Sequence, residues 1–222
     1  TTGGISVVAM FVDSVSRGAF FGRMPRTMGL FRSYLARQSD NTPAVIDFRN
    51  FNSISGGTYR NMPVLSCGRR SEDCPVSGEW WVHNVMKRAG YVTSFSGEEC
   101  TVDHSSFARL QLKNKATSFP ATLTQSERMD AFNHGNTLAD HTLNNIVCAY
   151  DRYSEVGASW SGATSKNPLC FASKPLFHWS LEYSVQFMEK YPAKSNRFSW
   201  VQMAYAAHEG TATRLASADA PI

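Results

Sequence analysis

The sequence has no apolar run approaching the ~18 residues a membrane-spanning helix needs. It has no Cys-x-x-Cys pair, which removes zinc-ribbon and thioredoxin-type motifs. It has no Asn-x-Ser/Thr glycosylation sequon and no visible internal repeat. It also lacks a concentrated basic stripe. The 22 Lys and Arg outnumber the 18 Asp and Glu to give a net charge of +4, yet they are scattered, and the longest cluster is Arg69-Arg70. Nucleic-acid binding needs cations on one face with interleaved aromatics, so no nucleic-acid partner is expected. The opening Thr1-Thr2-Gly3-Gly4 has neither an initiator Met nor a charged segment, so it is not an intact signal peptide. The chain reads as an internal piece of a longer protein, with any targeting segment or membrane attachment outside it.

What is present is a core-forming composition. In 222 residues, 42% are hydrophobic and 12% aromatic, enough for one large α/β domain or part of one. Five cysteines occur, at Cys67, Cys74, Cys100, Cys148 and Cys170. Cys67 and Cys74 flank a short polar loop and suit a small disulfide, which favours an oxidising, extracytoplasmic compartment. The alternative is that all five are reduced and packed. The odd number leaves one thiol free or paired outside this sequence.

Ile5–Val12 is a continuous apolar run of the kind found in strands buried on both faces of a parallel sheet. It ends abruptly at Asp13-Ser14. Pro25 suits a helix start, and Met28, Phe31 and Leu35 follow at helical spacing. Ala44–Phe48 reads as a second strand. A flexible loop from Asn52 to Thr58 leads into a short helix over Tyr59–Leu65. Glu79–Ala89 reads as a helix with Val82, Val85, Met86 and Ala89 on one face, stopped by Gly90. Tyr91–Phe95 is a third strand. Leu138–Tyr150 looks helical, and Gly157–Ser165 is rich in Gly and Ser. Pro175 opens a helix to Lys190 with Leu181, Val185 and Met188 on one face, and Phe198–Tyr205 is a fourth strand. Strands alternating with helices predict a largely parallel sheet flanked by helices.

In such sheets ligands bind outside the carboxyl ends of the strands. Asp13, Glu98-Glu99 and His208 each fall just past an expected strand. Asp13 can hold a hard or borderline cation, or it can cap the following turn or pair with Arg17. Thr58, at an expected helix N-terminus, suits an anionic phosphoryl group and could attack phosphorus if its pKa were lowered. It can equally be an ordinary cap. His208 could bind an anion or a metal, or be a partly exposed strand-end histidine. Asp103-His104 and Asp140-His141 could ligate metal, but neither follows an apolar strand, so both read as surface. His83, His134 and His178 read as surface or packing residues.

Several of these segments resemble one family. Val7–Arg17 resembles the first strand of sulfatase-like enzymes, with its terminal Asp. Asp13-Ser14-Val15-Ser16-Arg17 followed by Met24-Pro25-Arg26-Thr27 is similar to a eukaryotic sulfatase-like branch of the alkaline phosphatase–sulfatase superfamily. Gly57–Gly68 resembles the nucleophile segment of that branch. Gly90-Tyr91-Val92-Thr93 with Glu98-Glu99, Cys170, the helix after Pro175 and Ala207-His208-Glu209 resemble its later landmarks.

The resemblance implies an alkaline phosphatase-like fold, incomplete at the C-terminus. It implies a divalent metal (Zn, Mn, Mg or Ca) ligated by Asp13 and Thr58. Thr58 would also be the nucleophile, Asn61 would help bind the oxyanion, and His208 would contact the transferring group. There are departures: Arg60 stands where the branch has Pro, Cys67 where it has Thr, and Ser14 where sulfatases have a second acidic residue. The later Asp-His-Gly of the superfamily is absent from this sequence.

Sulfatases use a Cys or Ser in Cys/Ser-x-Pro-x-Arg, which Thr58-Tyr59-Arg60-Asn61 does not match. Phosphoryl chemistry on a small-molecule, glycan-linked or lipid-linked phosphoester is therefore expected. A non-catalytic binding domain of the same fold and a sulfatase are the alternatives.

Overall fold

The computed structural model describes residues 4–37, 44–49, 52–54, 58–70, 81–97, 139–143, 170–171, 173–203, 215–216 and 218–219, with backbone alone at 58–60, 63, 170, 171 and 176. Strand β1 spans Ser6–Val12. Ser16 then caps helix α1 (Arg17–Arg23), its Oγ accepting from the Ala19 N–H at 3.1 Å. Pro25 occupies the first turn of α2 (Pro25–Ala36), where its missing N–H has no intrahelical partner to lose.

Helix α3 spans Thr58–Cys67, and α4 spans Val82–Arg88. Helix α4 ends as the sequence implies. Gly90 adopts φ +82°, its N–H reaches Lys87 O at 2.9 Å, and the Tyr91 N–H reaches Met86 O at 3.0 Å. This is a Schellman closure, which needs the left-handed conformation glycine adopts without strain. Strands β2 (Val92–Gly97) and β3 (His141–Leu143) follow, then a small antiparallel pair, β4 (Cys170–Phe171) and β5 (Lys174–Pro175). The long helix α5 (Leu176–Lys190) and strand β6 (Arg197–Met203) complete the framework.

The strand order is β1-β6-β2-β3, and every pairing is parallel. Val12 lies opposite Met203 and Gly97 opposite Gln202, so the carboxyl ends of β1, β6 and β2 are nearly level. The period-2 alternation of the strands splits the core between two faces. On one, Phe198 and Trp200 pack with Trp81, Met62 and Cys67 beneath α3 and α4. On the other, Val201 and Met203 pack with Phe177 of α5. The expected α/β class with a mostly parallel sheet is what is found.

Several local expectations are corrected. Ala44–Phe48 is irregular: Asp47 is drawn to the Arg17 guanidinium, and the Arg49 N–H closes a turn onto Asp47 O at 3.1 Å. His141–Leu143 is a strand and not part of a helix, because Asp140 docks it onto β2. The Asp140 carboxylate accepts from the Thr93 N–H and hydroxyl, both at 2.8 Å, and its own N–H returns to Thr93 Oγ1 at 3.1 Å.

Among the described residues, β1 is covered along one face and, on the other, only at its carboxyl end, where Val12 joins the Phe177 cluster. Val7, Ala9 and Phe11 pack toward α3 and α4, while Val8 and Met10 are 50% and 52% exposed. Its apolar composition carries no information about which face is covered. The expected faces of α4 and α5 hold in part: Val82, Met86 and Leu181 pack against the core, but other positions differ. On α4, His83 is buried and Val85 exposed; on α5, Phe177, Ser180, Ser184 and Phe187 are buried and Val185 is exposed.

Candidate functional site

The carboxyl edge of the sheet is built around the end of β1. Val12 is the last paired residue, and the next backbone N–H, that of Asp13, donates to Met203 O at 2.9 Å. This bond ties the carboxylate-bearing residue to the last residue of the neighbouring central strand. Asp13 is only 5% exposed. Ser14 then turns the chain with φ +57°, a left-handed conformation that is uncommon for a residue with a side chain. Such backbone strain persists where the surroundings fix it, and it gathers at functional edges. Arg17, one of the partners expected for Asp13, forms a two-pronged ion pair with Asp47.

The second expected element also starts where the sequence places it. Thr58 is the first residue of α3, a ten-residue helix. Its backbone therefore lies in a first turn whose N–H groups have no intrahelical acceptors; its side chain lies outside the described residues. Asn61, one turn on, uses Oδ1 to accept the Ile54 N–H at 2.8 Å, which ties the preceding loop to the helix. The helix closes at Cys67, which is disulfide-bonded. The expected partner Cys74 lies outside the described residues, as do Glu98-Glu99, Asp103-His104, His134 and His208.

Of the expected site residues, Asp13 and Asn61 are described in full and Thr58 by its backbone. Asp13 offers carboxylate oxygens of the kind hard divalent cations take. Among the described residues, no three His, Cys, Asp or Glu side chains gather into a group that could hold a metal ion. Asp140-His141, the one Asp-His pair among the described residues, stands at the start of β3 and so lies away from the carboxyl edge. Partial burial pushes the Asp140 carboxyl upward, but the Thr93 bonds and the Lys87 ammonium at 3.2 Å outweigh it and hold the group below the usual carboxylate range.

Comparison with known proteins adds no relative: no family model, curated protein or solved structure matches this chain.

Sequence reasoning missed one residue at this edge. Asp219 accepts from the Arg26 N–H, the Thr27 N–H and the Thr27 hydroxyl, each at 2.7 Å. Desolvation favours the neutral acid, yet these bonds and the Arg26 charge hold the carboxyl below its ordinary value. It serves α2 as an N-cap supplied from 192 residues away along the chain. The signal available was α2 itself, which opens Met24-Pro25-Arg26-Thr27 with no Ser, Asp or Asn in position to cap it.

Proposed function

We propose that this chain forms the nucleophile-bearing part of a metal-dependent phosphoryl hydrolase or transferase with an alkaline phosphatase-like fold. The observation that carries the reading is Asp13. It is a carboxylate at the carboxyl end of a parallel strand, bonded through its backbone to the adjacent central strand and followed by a left-handed turn. Parallel α/β sheets bind their ligands at this edge. The start of α3 at Thr58 supports the second half of the reading, since a helix N-terminus favours a negative phosphoryl group.

In this scheme Asp13 and the Thr58 hydroxyl would hold the cation. A bound divalent ion supplies a lowered hydroxyl pKa and charge compensation at the phosphoryl oxygens. Thr58 would attack phosphorus, Asn61 would hold an equatorial oxygen, and His208 would contact the group being transferred. The Asn61–Ile54 bond fixes the amide against the turn below it, which is what an orienting donor requires.

The test is metal analysis of the natural full-length protein, coupled to hydrolysis of a generic phosphodiester and an aryl sulfate. Stoichiometric divalent metal and phosphodiester turnover that disappears in Thr58→Ala are expected. Turnover undiminished in Thr58→Ala refutes the nucleophile, preferential sulfate ester cleavage makes the protein a sulfatase, and absence of both metal and turnover makes it a binding domain.

A further inference from the structure

Asp13 is buried, yet the reading above requires it to meet a ligand. Two adjacent residues, Ala218 and Asp219, bear on the structure on both sides of it. Before Asp13, Val12 belongs to the apolar cluster of Phe177, Val201 and Met203, and Ala218 packs against that same cluster. After Asp13, the opening turn of α2 is held by Asp219 through three hydrogen bonds of 2.7 Å. Leu215, four residues earlier, is fully buried.

The contacts differ in strength. Ala218 contributes one methyl group, whose burial stabilises by about 1 kcal/mol. Asp219 supplies charge-assisted bonds, each stronger than a neutral one. The carboxylate is therefore the main fastening, and its partners belong to the loop-and-helix connection that leads away from Asp13.

We propose that Asp219 is a clasp that holds Ala218 and Asp219 across the carboxyl ends of β1 and β6, and that opening this clasp frees Asp13. The proposal rests on the metal reading only for what the opened edge would admit; the clasp itself is a statement about contacts.

The experiment is hydrogen–deuterium exchange by mass spectrometry on the natural full-length protein. Wild type is compared with Asp219→Ala, the isosteric Asp219→Asn and Thr27→Val, which removes one partner from the opposite side. Peptides covering residues 10–14 and 24–28 should each exchange about tenfold faster in Asp219→Ala, and less so in the two milder variants. Peptides covering β2 and the middle of α5 should be unchanged.

Acceleration confined to residues 24–28 would make Asp219 a helix cap and nothing more, and would overturn the clasp. Equal acceleration through β2 in all three variants would overturn it too, because the contact would then stabilise the whole sheet. Titration with Mn²⁺ or Zn²⁺ separates the two readings. Faster metal uptake in Asp219→Ala supports both. Faster exchange at residues 10–14 with no metal uptake in any variant keeps the clasp and removes the metal.

Discussion

His83 shows the fold choosing between two roles that the sequence leaves open. On the sequence it reads as a surface or a packing residue. In the fold it is 0% exposed, set between Phe95, Phe198 and Trp200 with ring centroids 5.2–6.1 Å away. Desolvation and, secondarily, the Lys87 charge push its pKa from 6.5 down to about 3, against weaker opposition from a backbone hydrogen bond with Ser94 and the Asp140 charge. The ring is therefore neutral at any ordinary pH and acts as an aromatic packing group. Above pH 6.5 both folded and unfolded chains carry it neutral. Below that, the unfolded chain takes up a proton that the folded one refuses. Stability should fall by about 1.4 kcal/mol per pH unit as the pH drops from near 6 toward 3. Urea unfolding at a series of pH values should show this slope in wild type and a flatter one in His83→Phe. An unchanged slope in the variant would assign the acid sensitivity to the carboxylates, among them Asp140, whose lowered pKa acts in the same direction below the usual carboxylate range.

At the scale of elements, starts and stops were legible and faces only in part. Pro25, Gly90 and Pro175 each mark a helix boundary through a backbone property, fixed φ or tolerance of positive φ, that acts whatever the helix packs against. The inward face depends on the partner. Helix α5 turns Ser180 and Ser184 to the sheet, which no hydropathy pattern anticipates, because β2 and β6 answer with serines. Ser94 Oγ donates to Ser199 Oγ at 2.8 Å, Ser184 Oγ lies 2.8 Å from the same oxygen, and Ser96 Oγ donates to Ser180 O at 3.2 Å. Small paired hydroxyls allow helix and sheet to approach closely without a buried polar group left alone. Ser199 is the shared member of this chain. Ser199→Ala should lower unfolding free energy by about 1–3 kcal/mol, since Ser94 and Ser184 both lose their partner. Replacing all three serines with Ala should recover part of that loss, because the orphaned hydroxyls go with it. Chemical denaturation of the single and triple variants measures both values, and a triple variant weaker than the sum of its parts would show that the network is not what seats α5.

Among the described residues the packing is asymmetric about the sheet, and β1 feels this most. The class of fold was legible because strands and helices alternate along the chain. The position of β1 was not, because Ser6–Val12 reads the same whether it lies in the middle of a sheet or at the end of one. Among the described residues it is the terminal strand, paired only with β6, and α5 packs chiefly on β6 and β2, with Val12 the one β1 residue in the Phe177 cluster. β6, with six of its seven residues buried, is the true centre. The two strands should therefore respond differently to one chemical change. Met10→Lys places an ammonium on an exposed position and should shift stability by no more than about 0.5 kcal/mol. It should also reduce self-association, since a charge on an open apolar edge strand opposes edge-to-edge pairing. Val201→Lys, at a fully buried position opposite Met10 in register, buries an unpaired charge and should prevent folding. Thermal unfolding and light scattering on the two variants distinguish the cases. If Met10→Lys were as damaging as Val201→Lys, another element would have to cover this face of β1, and the strand would lie inside the sheet as its composition alone suggests.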